Sequence, residues 1–280
     1  MEFHTESSPD PTSIEILRAD TFDRTDPALC HGFVGRTGGT SHDQFSSLNL
    51  SYFVGDDRTN VDSNWELLRR KIPALKTVAR MNQVHGIEVH VVTRATATTR
   101  PRGDGIVTAE PGVILGIFSA DCVPMLMIDP KQKICGAFHA GWRGILADIC
   151  TQGVFTMTQL GSHPSDLRAA LGPSIGACCF EVDAELADRF TTELQNSARL
   201  FPFPRGKGLG VRFSRPGQPG KAYLDLRAIL THQLERAGLT PTNITNIGPC
   251  TKCANAQFFS RRAANGQTTG LNLSFVGFAE

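Results

Sequence analysis

A chain of 280 residues, 40% apolar and 20% charged, has the balance of an ordinary globular protein and enough length to bury a substantial core. Its 28 basic and 27 acidic side chains leave a net charge of +1, which excludes a global field drawing it to nucleic acid or to an anionic membrane. No run approaches the ~18 apolar residues of a membrane span. Residues 1–11 lack the basic and apolar regions of a secretory signal, so a cytoplasmic location is expected, with the eight cysteines as free thiols or metal ligands.

In chain order, residues 1–14 read as a disordered tail and 14–17 as a short apolar segment. Gly32-Phe33-Val34-Gly35-Arg36-Thr37-Gly38-Gly39 carries too many glycines for a regular element and reads as a loop. It is no Walker loop, because no Gly-Lys-Ser/Thr follows. Asp62-Ser63-Asn64 predicts the cap of a helix running to about Ile72. The middle of the chain is strand-rich: 87–92, 105–108, 113–118, 123–128 and 133–138 are short apolar runs broken by Gly, Pro or Asp.

Gly141-Trp142-Arg143-Gly144 then turns the chain into one helix, with Ile145, Leu146, Ile149, Met157 and Leu160 near the helical period. Residues 169–171 read as a strand, and 184–197 as a helix. The stretch 202–221, rich in Gly and Pro with five basic residues and no acid, reads as a surface loop. Asp225 is placed to cap a last helix bearing Leu226, Leu230 and Leu234, with Gly238 just beyond it. No repeat and no sharp composition break divides the chain. The expectation is a mixed α/β protein, one domain over 15–280.

Three reactive residues stand at the ends of apolar runs: His85, Cys122 and His139, separated by 37 and 17 residues. Two imidazoles and a thiol can hold a zinc ion and leave a fourth position open. The same groups make a thiol nucleophile and its base, and the spacing leaves both readings open. Asp121 is a candidate to orient a metal-bound histidine, with a turn carboxylate as the alternative. Arg143, at a helix start, suits phosphate, with a surface ion pair as the alternative. Cys250-Thr251-Lys252-Cys253 has the spacing of half a zinc ribbon but no second pair follows, and Gly248-Pro249 gives a redox motif little support, so the pair is expected to be structural or incidental. Cys178 and Cys179 are expected on opposite faces of a strand, without a role. Eight histidines with no His-x-His pair argue against a multicopper centre, and Met125 and Met127 are expected in the core.

Gln83-Val84-His85-Gly86, Ala120-Asp121-Cys122-Val123-Pro124, His139-Ala140-Gly141-Trp142-Arg143-Gly144, Gly172-Pro173-Ser174-Ile175-Gly176 and Cys250-Thr251 occur in this order. Arg36-Thr37-Gly38-Gly39, Ser47-Leu48-Asn49-Leu50 and Val54-Gly55-Asp56-Asp57 precede them. Together these strings resemble the YfiH, or laccase-domain, family over about residues 30 to 265, whose members also carry the names polyphenol oxidase and peptidoglycan editing factor.

The resemblance implies a single domain with mixed β-sheets packed between helical layers, α/β/β/α. It implies zinc held by His85, Cys122 and His139, with copper disfavoured by the histidine count. It further implies phosphorolysis of adenosine, inosine, guanosine and methylthioadenosine, together with adenosine deamination. Phosphate then falls to Arg36 and Arg143, and ribose or base to Asn49. The partners are a purine nucleoside and phosphate, without nucleic acid or membrane, for a monomer or weak homodimer. The family often continues after Phe258-Phe259-Ser260-Arg261-Arg262 with Thr-Gly-Arg; here Thr269-Gly270 is followed by Leu271, leaving Arg261 or Arg262 as substitutes. The rival readings are a Cys-dependent or zinc-dependent hydrolase editing peptidoglycan precursors, the first with Cys122 as nucleophile and His85 or His139 as base, a copper phenol oxidase, and a non-catalytic partner protein.

Overall fold

Side chains along the strand Val123–Asp129 set the layering. Val123, Met125 and Met127 enter one core, while Leu126 and Ile128 enter another. That two-residue period belongs to a strand buried on both faces. The computed structural model describes residues 13–23, 25–200 and 214–280, so the expected tail over 1–12 and the basic stretch over 202–213 lie outside the described residues. The remainder of that stretch contains the strand Ser214–Pro216 and the start of Lys221–Leu224.

The central strand belongs to a six-stranded sheet ordered Ile244–Asn246, Arg168–Leu171, Val123–Asp129, Ile134–Ala140, Gly105–Thr108, Val89–Val91. A five-stranded sheet runs Ile16–Leu17, Leu29–Val34, Asn272–Phe278, Ile114–Ser119, Val78–Ala79. The two sheets enclose a core of Phe33, Leu115, Ile117 and Val276 from one and Ile106, Leu126, Ile128 and Ala137 from the other. Outside the five-stranded sheet lies the helix Arg58–Lys71, which buries Val61, Trp65 and Leu68 against Val34, Ile114 and Phe275. Outside the six-stranded sheet, the helices Ile149–Gln159 and Leu226–Arg236 bury Val154, Met157, Ile229 and Leu230 against Met125, Met127 and Phe138. The result is the expected single α/β domain, helix on sheet on sheet on helix. Among the described residues no helix is long and apolar enough to cross a membrane.

Three local expectations are corrected. The glycine-rich stretch begins inside the strand Leu29–Val34 rather than in a loop. A Cβ on Gly32 would meet Ile16 Cγ2 at 2.5 Å and Phe275 Cζ at 3.0 Å, so this glycine admits close neighbours instead of breaking the strand. The helix expected from Asp62 starts at Arg58, because Asp57 is its cap and accepts a hydrogen bond from Thr59 N. Asn64 is thereby freed to bind Ser41, Ser47 and Asn49 from within the helix. The single helix expected after Gly141 is two, Trp142–Leu146 and Ile149–Gln159. Asp148 separates them in the left-handed region (φ 66°), where its carboxylate caps Thr151 N and pairs with Arg236. The last helix is as expected, capped by Asp225 with Gly238 beyond its end.

One buried group makes the fold sensitive to acid. His31 is fully buried and its Nε2 accepts a hydrogen bond from Ala19 N at 3.0 Å, which requires a neutral ring. Burial brings its pKa to about 4, against the attraction of Asp23 and with Arg18 adding to the fall. A histidine depressed in the folded state stabilises above its unfolded value near 6.5 and loses that contribution as pH falls toward 4. The loss amounts to about 3 kcal/mol. Denaturant melts of wild type and His31→Gln between pH 7 and 4 are expected to diverge accordingly; parallel curves would show that His31 is not the acid-sensitive group.

Candidate metal centre

The strands deliver the reactive residues to one end of the six-stranded sheet. Val123 pairs with Ala140 and Pro124 with His139, so Cys122, one residue ahead of its strand, arrives beside His139 near the end of the neighbouring one. Gly105 pairs with Phe138, and the ladder extends to Asp104, whose carbonyl accepts from His139 N at 2.7 Å. His85 reaches the same place from the turn after the strand Val78–Ala79. Ligand atoms of His85, Cys122 and His139 all lie within 4.8 Å of one another, and the two imidazoles meet edge to face at 4.8 Å between centroids.

A single buried carboxylate organises this arrangement. Asp104 Oδ1 accepts from His139 Nδ1 at 2.8 Å and from His85 N at 3.0 Å. Its Oδ2 accepts from Val84 N at 3.1 Å and Gly86 N at 2.7 Å. Four donors thus fill the roughly four lone-pair positions of a carboxylate. Donation through Nδ1 turns the other nitrogen of His139 toward the trio, as in carboxylate–histidine–metal arrangements. The three backbone N–H groups hold His85 in the left-handed region (φ 61°), which a residue with a side chain rarely adopts. Burial opposes ionisation of Asp104, but these hydrogen bonds prevail and hold its carboxyl below the usual range.

Asp121, expected to orient a histidine, has other partners. Its carboxylate accepts from Thr251 Oγ1 and from Arg262 N, each at 2.7 Å, at a left-handed φ of 99°. The orienting residue is Asp104. Its only trace in the sequence is an acid between two glycines at the head of an apolar strand.

Gly141 presses against the trio from the far side. A Cβ there would come 3.0 Å from His85 Cδ2 and 3.2 Å from Cys122 Sγ. Gln83 clamps the His85 turn to a strand end, donating to Phe118 O at 2.7 Å and accepting from Phe118 N at 2.9 Å.

Burial pushes the Cys122 thiol up, but the charge of His139 and hydrogen bonds from both histidines outweigh it and bring the pKa to about 6. Burial likewise pushes His139 down, yet Cys122 and Asp104 hold it at about 9. Without a cation the pair favours thiolate and protonated imidazole; a bound divalent cation replaces that proton. The donor set therefore fits a borderline-soft metal such as zinc.

The trio opens into a cavity of about 380 Å³, walled by Phe53, Met81, Phe118, Arg261, Thr269 and Leu271. That volume lies within the range of small-molecule sites. Leu271 thus lines the cavity at the place where the resemblance has an arginine, and Arg261 lines the same cavity. Arg262 turns away, its guanidinium donating to the carbonyls of Cys179 and Glu181.

The three expected substrate-binding residues are not on this lining. Arg36 donates to the carbonyls of Ser46 and Asn255 and lies over the Phe259 ring. Asn49 is fully buried and binds Ser51, Asp56 and Leu271 N. Arg143 is exposed, its guanidinium 4.4 Å from the Trp142 ring centroid.

A family model described as multi-copper polyphenol oxidoreductase laccase matches residues 30–279. The chain belongs to this family. Among laccase-domain relatives, it is 36% identical over 260 residues to the purine nucleoside phosphorylase YlmD of Geobacillus stearothermophilus, covering 89% of this chain and 90% of the relative. It is 40% identical over 249 residues to a purine nucleoside phosphorylase of Streptomyces coelicolor, covering 88% and 93%. The crystal structure of YlmD from Geobacillus stearothermophilus superposes with a TM-score of 0.82 at 34% identity, over 97% of this chain and 100% of that one. The Bacillus licheniformis YfiH structure gives 0.77 at 30% identity, over 89% and 92%. The laccase-domain name speaks of several coppers. Among the described residues, however, groups of three or more metal-ligating side chains occur at two places, one with two imidazoles and the other with none.

Proposed function

We propose that this chain is a zinc-dependent purine nucleoside phosphorylase acting on adenosine, inosine, guanosine and methylthioadenosine, with adenosine deaminase activity as well. His85, Cys122 and His139 hold the metal in this reading. The observation that carries it is their convergence on a cavity of nucleoside size with an arginine on its wall. Zinc with three protein ligands keeps an open position and supplies a Lewis acid and a bound water of pKa about 7.

In phosphorolysis a phosphate oxygen bonds to the ribose C1′ as the bond from C1′ to the purine nitrogen breaks. The bonding electrons leave with the base, which then takes up a proton. In this reading Arg261 holds the phosphate rather than Arg36 or Arg143; that it lines the cavity, and they do not, supports the assignment. Phe118 and Leu271 offer apolar surface to the base and exclude water. The same proposal makes the partners a nucleoside and phosphate, without nucleic acid, for a monomer or weak homodimer in a cytoplasm that keeps its cysteines free.

The test is to incubate the zinc-loaded protein with adenosine, with and without phosphate, and separate the products. Adenine and ribose 1-phosphate appearing only with phosphate, and inosine without it, are expected. No conversion of any of the four nucleosides would overturn the proposal.

The thiolate–imidazole pair at Cys122 and His139 favours one rival, a cysteine hydrolase of peptidoglycan precursors. Such an enzyme would stay active when stripped of metal and die on alkylation of Cys122.

A further inference from the structure

The two cysteine pairs that the sequence leaves without a role come together. Cys178 and Cys179 lie in a tight turn, not on a strand, with Cys179 N and Phe180 N both bonded to Gly176 O. The turn brings both thiols to the same side, where their sulfurs stand 3.6 and 3.4 Å from Cys253 Sγ. Cys250 completes the group, and all four sulfurs lie within 4.8 Å of one another. A disulfide requires a bond of about 2.05 Å between one pair. A tetrahedron of thiolates at about 2.3 Å from zinc has edges of about 3.8 Å, and four sulfurs at these separations match its dimensions.

Two further observations fit a metal site. A side chain at Gly176 would crowd the cluster: a Cβ would stand 3.1 Å from Cys250 Cβ and 3.3 Å from Cys178 Sγ. Cys178 and Cys253 are exposed, which gives an ion a path in, while Cys250 is buried.

We propose that Cys178, Cys179, Cys250 and Cys253 bind one zinc ion as a structural site separate from the His85–Cys122–His139 centre. A complete set of four sulfurs leaves no open position, so the site ties chain segments together instead of catalysing. The segments it ties support the candidate metal centre. Thr251 and Arg262 hold the Asp121 carboxylate next to Cys122, and Arg262 also binds the carbonyls of Cys179 and Glu181. The cluster is a clamp behind the Cys122 loop.

The test counts zinc in protein purified without chelator. Wild type is expected to carry about two zinc ions per chain, one per cluster. Cys253→Ser, at an exposed position, is expected to lose one of them and to melt at a lower temperature while keeping the other. Cys122→Ser, which leaves all four cysteines intact, is expected to keep about one zinc. Reloaded with cobalt, that variant should show thiolate-to-cobalt charge-transfer bands and tetrahedral d–d bands. Cys122→Ser protein free of zinc and without those bands would overturn the proposal. So would a metal-free chain carrying a Cys179–Cys253 disulfide, or an iron chromophore in place of zinc. None of these outcomes depends on nucleoside turnover, so the clamp and the proposed phosphorylase activity stand or fall separately.

Discussion

Cys122→Ser is expected to lose one zinc ion and to reduce phosphorolysis about a thousandfold, the several kcal/mol that a Lewis-acid centre contributes. A serine hydroxyl at this place stays protonated and replaces a charged sulfur ligand with a neutral oxygen. His85→Ala and His139→Ala are expected to lose the same ion, but to differ in stability. His85 is exposed, so its removal should leave the fold close to wild type. His139 is buried against Asp104, and its loss leaves that carboxylate without one of its four donors. Metal analysis together with adenosine turnover decides each case. A variant that keeps its full zinc removes that residue from the set of ligands.

Asp104→Asn should weaken zinc binding by about 10–100-fold and destabilise the fold by about 3–5 kcal/mol. The side chain is nearly isosteric, yet one carboxylate oxygen becomes an amide that donates. It then confronts either Val84 N and Gly86 N or His85 N and His139 Nδ1, donor against donor. Asp104 also carries a sign in pH. Its folded pKa is depressed, so its contribution is present above the unfolded value near 3.9 and lost as pH falls through the folded one. The variant should therefore lose less stability at the acid end than wild type does. Competition with a chromophoric chelator and denaturant melts measure the two effects. An Asp104→Asn protein that binds zinc as tightly as wild type would show that His139 needs no such partner.

The contrast between Cys122 and Asp104 explains what could be read from the residues alone. Strand limits in the middle of the chain were visible because Gly, Pro and Asp interrupt apolar runs, and the trio stood out because imidazoles and thiols at strand ends are chemically conspicuous. Asp104 is inconspicuous: an acid between glycines has the look of any turn, and its role comes from donors up to 35 residues away. The cysteine cluster is hidden for the same reason, its pairs lying some 75 residues apart and brought together by the turn at Gly176 and the backbone bridge between Ser174 and Cys250. Asp57 does not stand out as a cap beside Asp62-Ser63-Asn64, since both precede plausible helical residues and the helix N–H that donates to a capping carboxylate is that of Thr59, bonded by Asp57. Arg36 and Asn49 sit in specific-looking strings, but they are held by carbonyls and loop backbone. A motif marks a position that matters without saying whether it touches substrate.

The hydrogen bonds of Asp104 also bear on the order of assembly. Its four acceptor positions are filled by protein donors, so the turn at His85 and the ring of His139 are set by the folding of the chain itself. A zinc finger waits for its ion before it has a structure. The proposed zinc centre is instead built in advance, like a socket, so that stripping and restoring the cation is expected to be a reversible exchange on a standing framework.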